Sequence, residues 1–413
     1  MRAPAFRATV AALALGQILC WAALFYAFTS LVLPMQRELG WSRPQMMGAF
    51  TLGLALWGAA TYAIGAAIDR GHDRLVLTAG SLLGACGFAL WSQAHSLGVL
   101  YAAWAVLGLA MAATLYEPAF NAVTKRFPER FREAILVLTL VGGFASTLSF
   151  PSVAALVAVF GWRGALLAMA ALLGLVVAPL HAWALQGAPH AQAAAAASDA
   201  AADATLHEAL RRPAFWFLTA AFCLHAFVLA AVFAHLMPAV AEKGLSEAQA
   251  LAVLVWFGPA QVAGRFAWGA LGSGRKPRAM ALAVLAGTPL ALAIFAMAQR
   301  IPGLLAFTLV LGLANGLVTI VRGSLVPDYF GRGHVGRISG AMSAFGQLGR
   351  AIAPFTIAWL LVPLHTYAAV LWVLSALGVL AVACYALAGP AARNAASPTV
   401  AARMEPMRDA PLR

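Results

Sequence analysis

Four side chains in this sequence can do chemistry in places where their neighbours offer them no solvation. Arg265 stands in "WFGPAQVAGRFAWG", residues 256–269, a run otherwise free of charge, with Gln261 one helical turn before it. Arg350 stands in "SAFGQLGRAIAPF", where Ser343, Gln347 and Arg350 repeat at helical spacing. Glu117, in "TLYEPAFNAV", shares a helix face with Thr114 and Asn121, and Pro118 beside it should free a backbone carbonyl. His225 lies in the middle of a further apolar run. A guanidinium presents a planar fork that takes a carboxylate bidentately. A carboxyl group or an imidazole among apolar residues can exchange a proton as its charged neighbours come and go. The chemistry on offer is therefore anion binding at Arg265, Gln261, Arg350 and Gln347, and proton exchange at Glu117 or His225. Each has a structural alternative. Arg265 can pair with a carboxylate of a neighbouring helix, Arg350 can bond backbone carbonyls, Glu117 can pair with Arg126 or Arg130, and His225 can be a packing residue. No catalytic constellation, no phosphate-cradling GxxxxGK[ST] and no metal-spaced cluster accompanies them. The expectation is no enzyme, no cofactor and no metal.

The elements that hold these groups are dictated by composition. Hydrophobic residues make up 63% of the 413 and charged residues 10%, against roughly 45–50% and about 25% in soluble domains. The apolar residues gather into twelve runs of about 20 or more, the length that crosses ~30 Å of hydrocarbon as a helix. The runs fall near 8–34, 46–68, 74–93, 98–123, 133–158, 162–186, 214–237, 249–271, 279–298, 303–325, 338–361 and 366–388. A barrel would show alternating segments of roughly ten residues instead. Most of the 27 lysines and arginines fall in the segments that share a side with the N-terminus, so the positive-inside rule predicts both termini in the cytoplasm of a bacterial-type inner membrane. That asymmetry accounts for the net charge of +13 without a nucleic-acid partner. A charge at the bilayer centre costs roughly 2.5–3.5 kcal/mol on insertion scales, so Arg265 should face a wet cavity.

The chain also reads as two halves. Residues 187–204 are alanine-rich low complexity, and "TLHEALRRPAFWF" after them carries Thr205 and Glu208 as a capping box opening a short helix. The expected organisation is a six-helix bundle over 1–186, a linker with a short helix over 187–212, a second bundle over 213–388 and a cytoplasmic tail over 389–413. "GWSRPQ" from Gly40 aligns with "GLSEAQ" from Gly244 at a separation of 204, which also carries Gly65 onto Gly269 and Arg74 onto Arg278. Internal duplication in a membrane chain of this size marks a carrier with a midplane site between its repeats. Tyr26, Thr29 and Ser30 of the first span can wall such a site. Asn315, Thr319 and Arg322 line one face of the tenth, with Arg322 near enough to its end to snorkel.

The residues resemble the major facilitator superfamily over nearly the whole chain. "GAAIDRGHDR" (Gly65, Asp69, Arg70, Arg74) looks like the superfamily's GxxxDRxGRR signature, with His72 at the usual second glycine, and "GALGSGRKPR" keeps Gly269 and Arg278 but has Ser273 at the aspartate. The resemblance implies that Gly65, Asp69, Arg70, Arg74, Gly269 and Arg278 belong to a gating latch. "FYAFTSLVLPMQRELGWSR", "GWRGALLAMA", "LHEALRRPAFWFL" and "FGPAQVAGRFAWG" are similar to the monocarboxylate transporter and oxalate:formate antiporter branch. That likeness implies a cation on the eighth helix and another on the eleventh. Monocarboxylate transporters carry an aspartate where Gln261 stands and a lysine near Thr29 and Ser30, both missing here. The expectation is an all-α, twelve-helix secondary transporter of a small organic anion, a mono- or dicarboxylate, coupled to protons and needing the lipid bilayer but no obligate protein partner. The alternatives are an exporter of neutral or amphipathic toxic compounds and a transporter-like sensor that does not translocate.

Overall fold

The computed structural model describes residues 5–187, 203–245, 249, 253–271 and 277–390, and every regular element among them is a helix. Ten helices are long and apolar enough to cross a membrane. One of these, Phe131–Ala184, runs 54 residues, far more than one crossing needs at 1.5 Å per residue. Gly161 breaks it with φ 68° and ψ 173°. Beyond the break Trp162 Nε1 and Arg163 Nε donate to Glu38 at the end of the first span, and Ala182 O accepts from Arg74 Nε at 2.8 Å. The chain has turned and come back. With these two limbs and the shorter helix Phe257–Leu271, the spans number twelve.

In chain order the first span joins helices Phe6–Cys20 and Ala27–Leu39 through a π-helical stretch, Trp21–Tyr26. The second is Arg43–Asp69 and the third Asp73–Ser92. The fourth is Leu97–Thr114 continued by Tyr116–Arg126, and the fifth begins as Phe131–Gly142 and resumes at Ala145. After the sixth, which ends at Ala184, a short helix Leu206–Arg211 precedes the seventh span, Pro213–Ala241. The eighth to twelfth are Phe257–Leu271, Pro277–Met297, Ile301–Phe330, Val335–Leu364 and Tyr367–Leu387. Several overrun the apolar runs, because hydropathy marks only the part in hydrocarbon while backbone bonding carries the helix onward into the interface.

Local rules explain the breaks and caps. Pro118 has no N–H to give the carbonyl four residues back. That carbonyl, on Thr114, accepts instead from Gln17 Nε2 of the first span at 2.7 Å, and the fourth span breaks at Leu115. The capping box expected before the seventh span is present: Thr205 Oγ1 accepts from Glu208 N, and Glu208 Oε2 accepts from Thr205 N. The Thr205 amide and hydroxyl hold the Glu208 carboxyl below its ordinary range.

The separation of 204 residues runs through the three-dimensional structure. Gly40 and Gly244 are both left-handed, at φ 67° and 73°. Gly161 and His365 are likewise, at φ 68° and 59°, each turning the chain between two spans. Pro34 and Pro238 lie inside helices. Glu38 accepts from Arg163, and Glu242 from the backbone N–H of Tyr367. Arg74 donates to Ala182 O, and Arg278 to Ala386 O at 2.6 Å. Four buried hydrophobic clusters follow the same division. Two draw on residues between Val10 and Leu185, and two on residues between Ala204 and Ala388.

The halves meet most closely along the second and eleventh spans. A Cβ on Gly65 would overlap the backbone of Gly336, and one on Gly340 would meet Thr61 O at 2.6 Å. Thr61 Oγ1 donates to Gly340 O at 3.1 Å. Below them the Asp69 carboxylate accepts from Gly336 N at 2.9 Å and Arg337 N at 2.8 Å, at the start of the eleventh helix, where the macrodipole favours an anion. Lys125 Nζ stands 3.3 Å from Asp69. The same face carries both described chain ends, since Phe6 packs on Phe127 and Tyr329 Oη donates to Gly389 O. We call it the terminal face; the seam is closed there.

Gly65→Val should wedge the seam open. With the four native cysteines replaced, spin labels on Arg70→Cys and Arg337→Cys are expected to move apart in this variant. An unchanged label distance would contradict the close backbone approach.

Candidate functional site

Just above the seam the fourth, tenth and eleventh spans bring together charges from both halves. Glu117 sits in the first turn after the break at Leu115. Arg322 Nη2 donates to Glu117 Oε1 at 2.7 Å and to Ser343 Oγ at 2.7 Å, and Ser343 Oγ donates to the same Glu117 oxygen at 2.7 Å. Arg322 therefore does not snorkel outward; its guanidinium turns in to the carboxylate of the other half. The intra-half partners considered for Glu117 are engaged elsewhere, Arg126 with Asp73 at 2.5 Å and Arg130 with Glu133 at 2.8 Å. One turn below, Ser339 Oγ donates to Asn121 Oδ1 at 3.1 Å. On the terminal side of this triangle Arg132 also pairs with Asp328.

Arg265 is 3% exposed. Its Nε donates to Gly316 O at 3.2 Å and its Nη2 reaches Gln261 Oε1 at 3.4 Å. Gly316 makes this possible, because a Cβ there would overlap the Gln261 backbone and push the eighth and tenth spans apart. The third nitrogen, Nη1, lies against Gly143, at the interruption of the fifth span, and has no hydrogen-bond partner among the described residues. Its electrostatic neighbours Tyr116 and Tyr26 belong to the first half. Arg350 Nη1 donates to Gln347 Oε1 at 3.3 Å, and its charge is felt by Arg322, Glu117 and Tyr26. Buried His225 has Arg350 and Arg322 as electrostatic neighbours, and its Nε2 has no described partner. Glu117 Oε2 likewise has none. Among the described residues, then, Arg322 holds the Glu117 carboxylate, Arg350 is its electrostatic neighbour, and neither Arg265 nor Arg350 has a carboxylate at ion-pair distance.

The other singled-out residues are placed as follows. Tyr26, Ser30 and Asn315 are half-buried, and Asn315 O accepts from Thr319 Oγ1 at 3.4 Å. The side-chain surroundings of Thr29 and Gly269 lie outside the described residues. Of the signature residues Asp69 reaches across the seam, Arg70 is exposed, and Arg74 and Arg278 each bond within their own half. Sequence reasoning missed Arg322 as a site residue. Its place on the stripe with Asn315 and Thr319 was the available signal. It also missed Tyr116, whose neighbour Glu117 drew attention away.

A twice-repeated bundle of spans with buried charge at the join is the architecture of a secondary transporter. The chain belongs to the Major Facilitator Superfamily, whose sequence profile matches residues 13–354 and 236–409. No curated protein matches the sequence significantly. Among solved structures it is similar to the human organic anion transporter MFSD10 (TETRAN), at 16% identity and a TM-score of 0.74, covering 92% of this chain and 100% of that one. It is also similar to the fucose:proton symporter FucP of E. coli, at 14% identity and a TM-score of 0.70, covering 92% and 98%. A structure of FucP in the outward conformation gives a TM-score of 0.65 at 14% identity and the same coverage.

Removing one member of this partly buried ion pair leaves the other without its counter-charge. Arg322→Ala alone should therefore lower the melting temperature more than Arg322→Ala with Glu117→Gln. A double-mutant cycle should give a coupling of about 1–3 kcal/mol, and additive losses would show that the pair contributes nothing.

Proposed function

We propose that this chain is a secondary transporter of small organic anions that works by alternating access in a bacterial-type inner membrane, with both termini in the cytoplasm. The observation that carries the reading is Arg265, a buried guanidinium with two uncharged acceptors and, among the described residues, one nitrogen to spare and no acid at ion-pair distance. A cation kept in that setting is suited to a carboxylate guest, which supplies the charge and the paired oxygens that Gly316 O and Gln261 Oε1 do not. Arg350, held by Gln347, is the second cation the guest meets, and Tyr26, Ser30 and Asn315 contribute polar edges. The likeness to an organic anion transporter agrees with the reading while resting on fold alone.

Residues 1–186 and 213–388 would rock about this site, with the Asp69 cap closing the cytoplasmic mouth in the state described. Opening that mouth must separate Glu117 from Arg322, since they sit on opposite halves. A proton on Glu117 offsets the lost cation, and an anion beside Arg322 offsets the lost carboxylate, so the two would travel in the same half-cycle. Neither an exporter of neutral compounds nor a static sensor gives the arginines this use.

Two measurements test the reading. A thermal-shift series of acetate, lactate and oxalate on purified protein should show stabilisation by at least one anion, lost in Arg265→Ala; equal shifts in both proteins would make Arg265 structural. In proteoliposomes Glu117→Gln should flatten the dependence of anion uptake on an imposed pH gradient while counterflow persists. An unaltered gradient dependence removes the proton from the scheme.

A further inference from the structure

The cations come from one half of the molecule, and the wall opposite Arg265 is aromatic. Trp21, Phe25 and Tyr26 fall within the π-helical stretch of the first span, whose wider turn puts residues four and five apart side by side. Trp21 lies 5.3 Å from Phe25, 6.3 Å from Tyr26, 6.0 Å from Trp57 and 4.9 Å from Tyr116 between ring centroids. Tyr116 in turn stacks on Phe120 at 5.2 Å. Two features mark this group. Trp21, Tyr26 and Tyr116 are partly buried while Trp57 beside them is buried, and Tyr26 and Tyr116 are the electrostatic neighbours of the buried Arg265. The Trp21 Nε1 donor is buried with no described partner. Gly142 and Gly143, where the fifth span is interrupted, let the Tyr116 hydroxyl and the Arg265 guanidinium settle against adjacent stretches of backbone, since a Cβ on Gly142 would strike Tyr116 and one on Gly143 would strike Arg265.

Resting on the anion reading above, we infer that the substrate is an aryl carboxylate. Its carboxylate is taken by Arg265, and its ring lies against Tyr116 and Trp21. An aromatic guest gains more here than an aliphatic one of equal size, because its positive ring edge meets the negative faces of the wall. A short aliphatic acid such as acetate or oxalate would reach the arginine and leave the aromatic wall without contact.

The test compares benzoate with cyclohexanecarboxylate, which has the same carbon count and charge but no π system, alongside acetate and oxalate. Each competes for counterflow into proteoliposomes of the full chain and is titrated by thermal shift against the purified protein. Benzoate is expected to act at a concentration roughly five- to tenfold lower than cyclohexanecarboxylate, and Tyr116→Leu is expected to erase that ratio while leaving Arg265-dependent binding in place. The wild-type ratio stands as a result even if Tyr116→Leu fails to fold. Equal potency of the two acids, or a response to acetate and oxalate alone, overturns the aryl assignment and leaves the anion reading intact. Loss of every response that depends on Arg265 overturns both.

Discussion

The ion pair between Glu117 and Arg322 is the constraint around which the other charges are arranged. It is formed by residues 205 apart in sequence, on spans of opposite halves, with both side chains partly buried. Arg322 takes the Glu117 carboxylate, while Arg265 and Arg350 have uncharged hydrogen-bond partners, Gly316 O and the amides of Gln261 and Gln347. Ser343 bonds both members of the pair and so ties the eleventh span to the same point. Sequence alone ranked Arg322 as peripheral and left Glu117 between two nearby arginines, both of which have other acids.

Much of the scaffold was legible before any coordinate. Twelve spans follow from composition and run length. The break beside Glu117 follows from Pro118, and the cap at Thr205 from its spacing to Glu208. Near the site the reading thinned, for a physical reason: which helix faces which is fixed by small-residue contacts such as Gly65 on Gly336 and Gly316 on Gln261. A glycine in a sequence does not announce its partner. The π-helical turn at Trp21–Tyr26 and the interruption after Gly142 have no pattern in hydropathy either. The first carries Trp21 and Tyr26, and the second brings the backbone of Gly143 against Arg265 Nη1.

The repeat sharpens the contrast between scaffold and site. At the separation that matches turns, prolines and terminal-face arginines, Arg265 corresponds to Thr61, Arg322 to Pro118, Glu117 to Val321 and Arg350 to Ser146. The halves share the residues that bend and clasp the chain and differ at the positions that carry charge. Among the described residues at the join, Arg265, Arg322 and Arg350 come from the second half and Glu117, Tyr26 and Tyr116 from the first.

The closure of the terminal face has an evolutionary corollary. Asp69 grips peptide N–H groups, which every residue except proline possesses, so the side chain at 337 is free to drift without undoing the catch. Bulk is barred at 336, against Gly65, and one turn on at 340, against Thr61. Heritable variation can therefore redecorate that end of the eleventh span for new partners or membrane compositions, while position 69 is held fixed by a contact whose other side is written in the main chain.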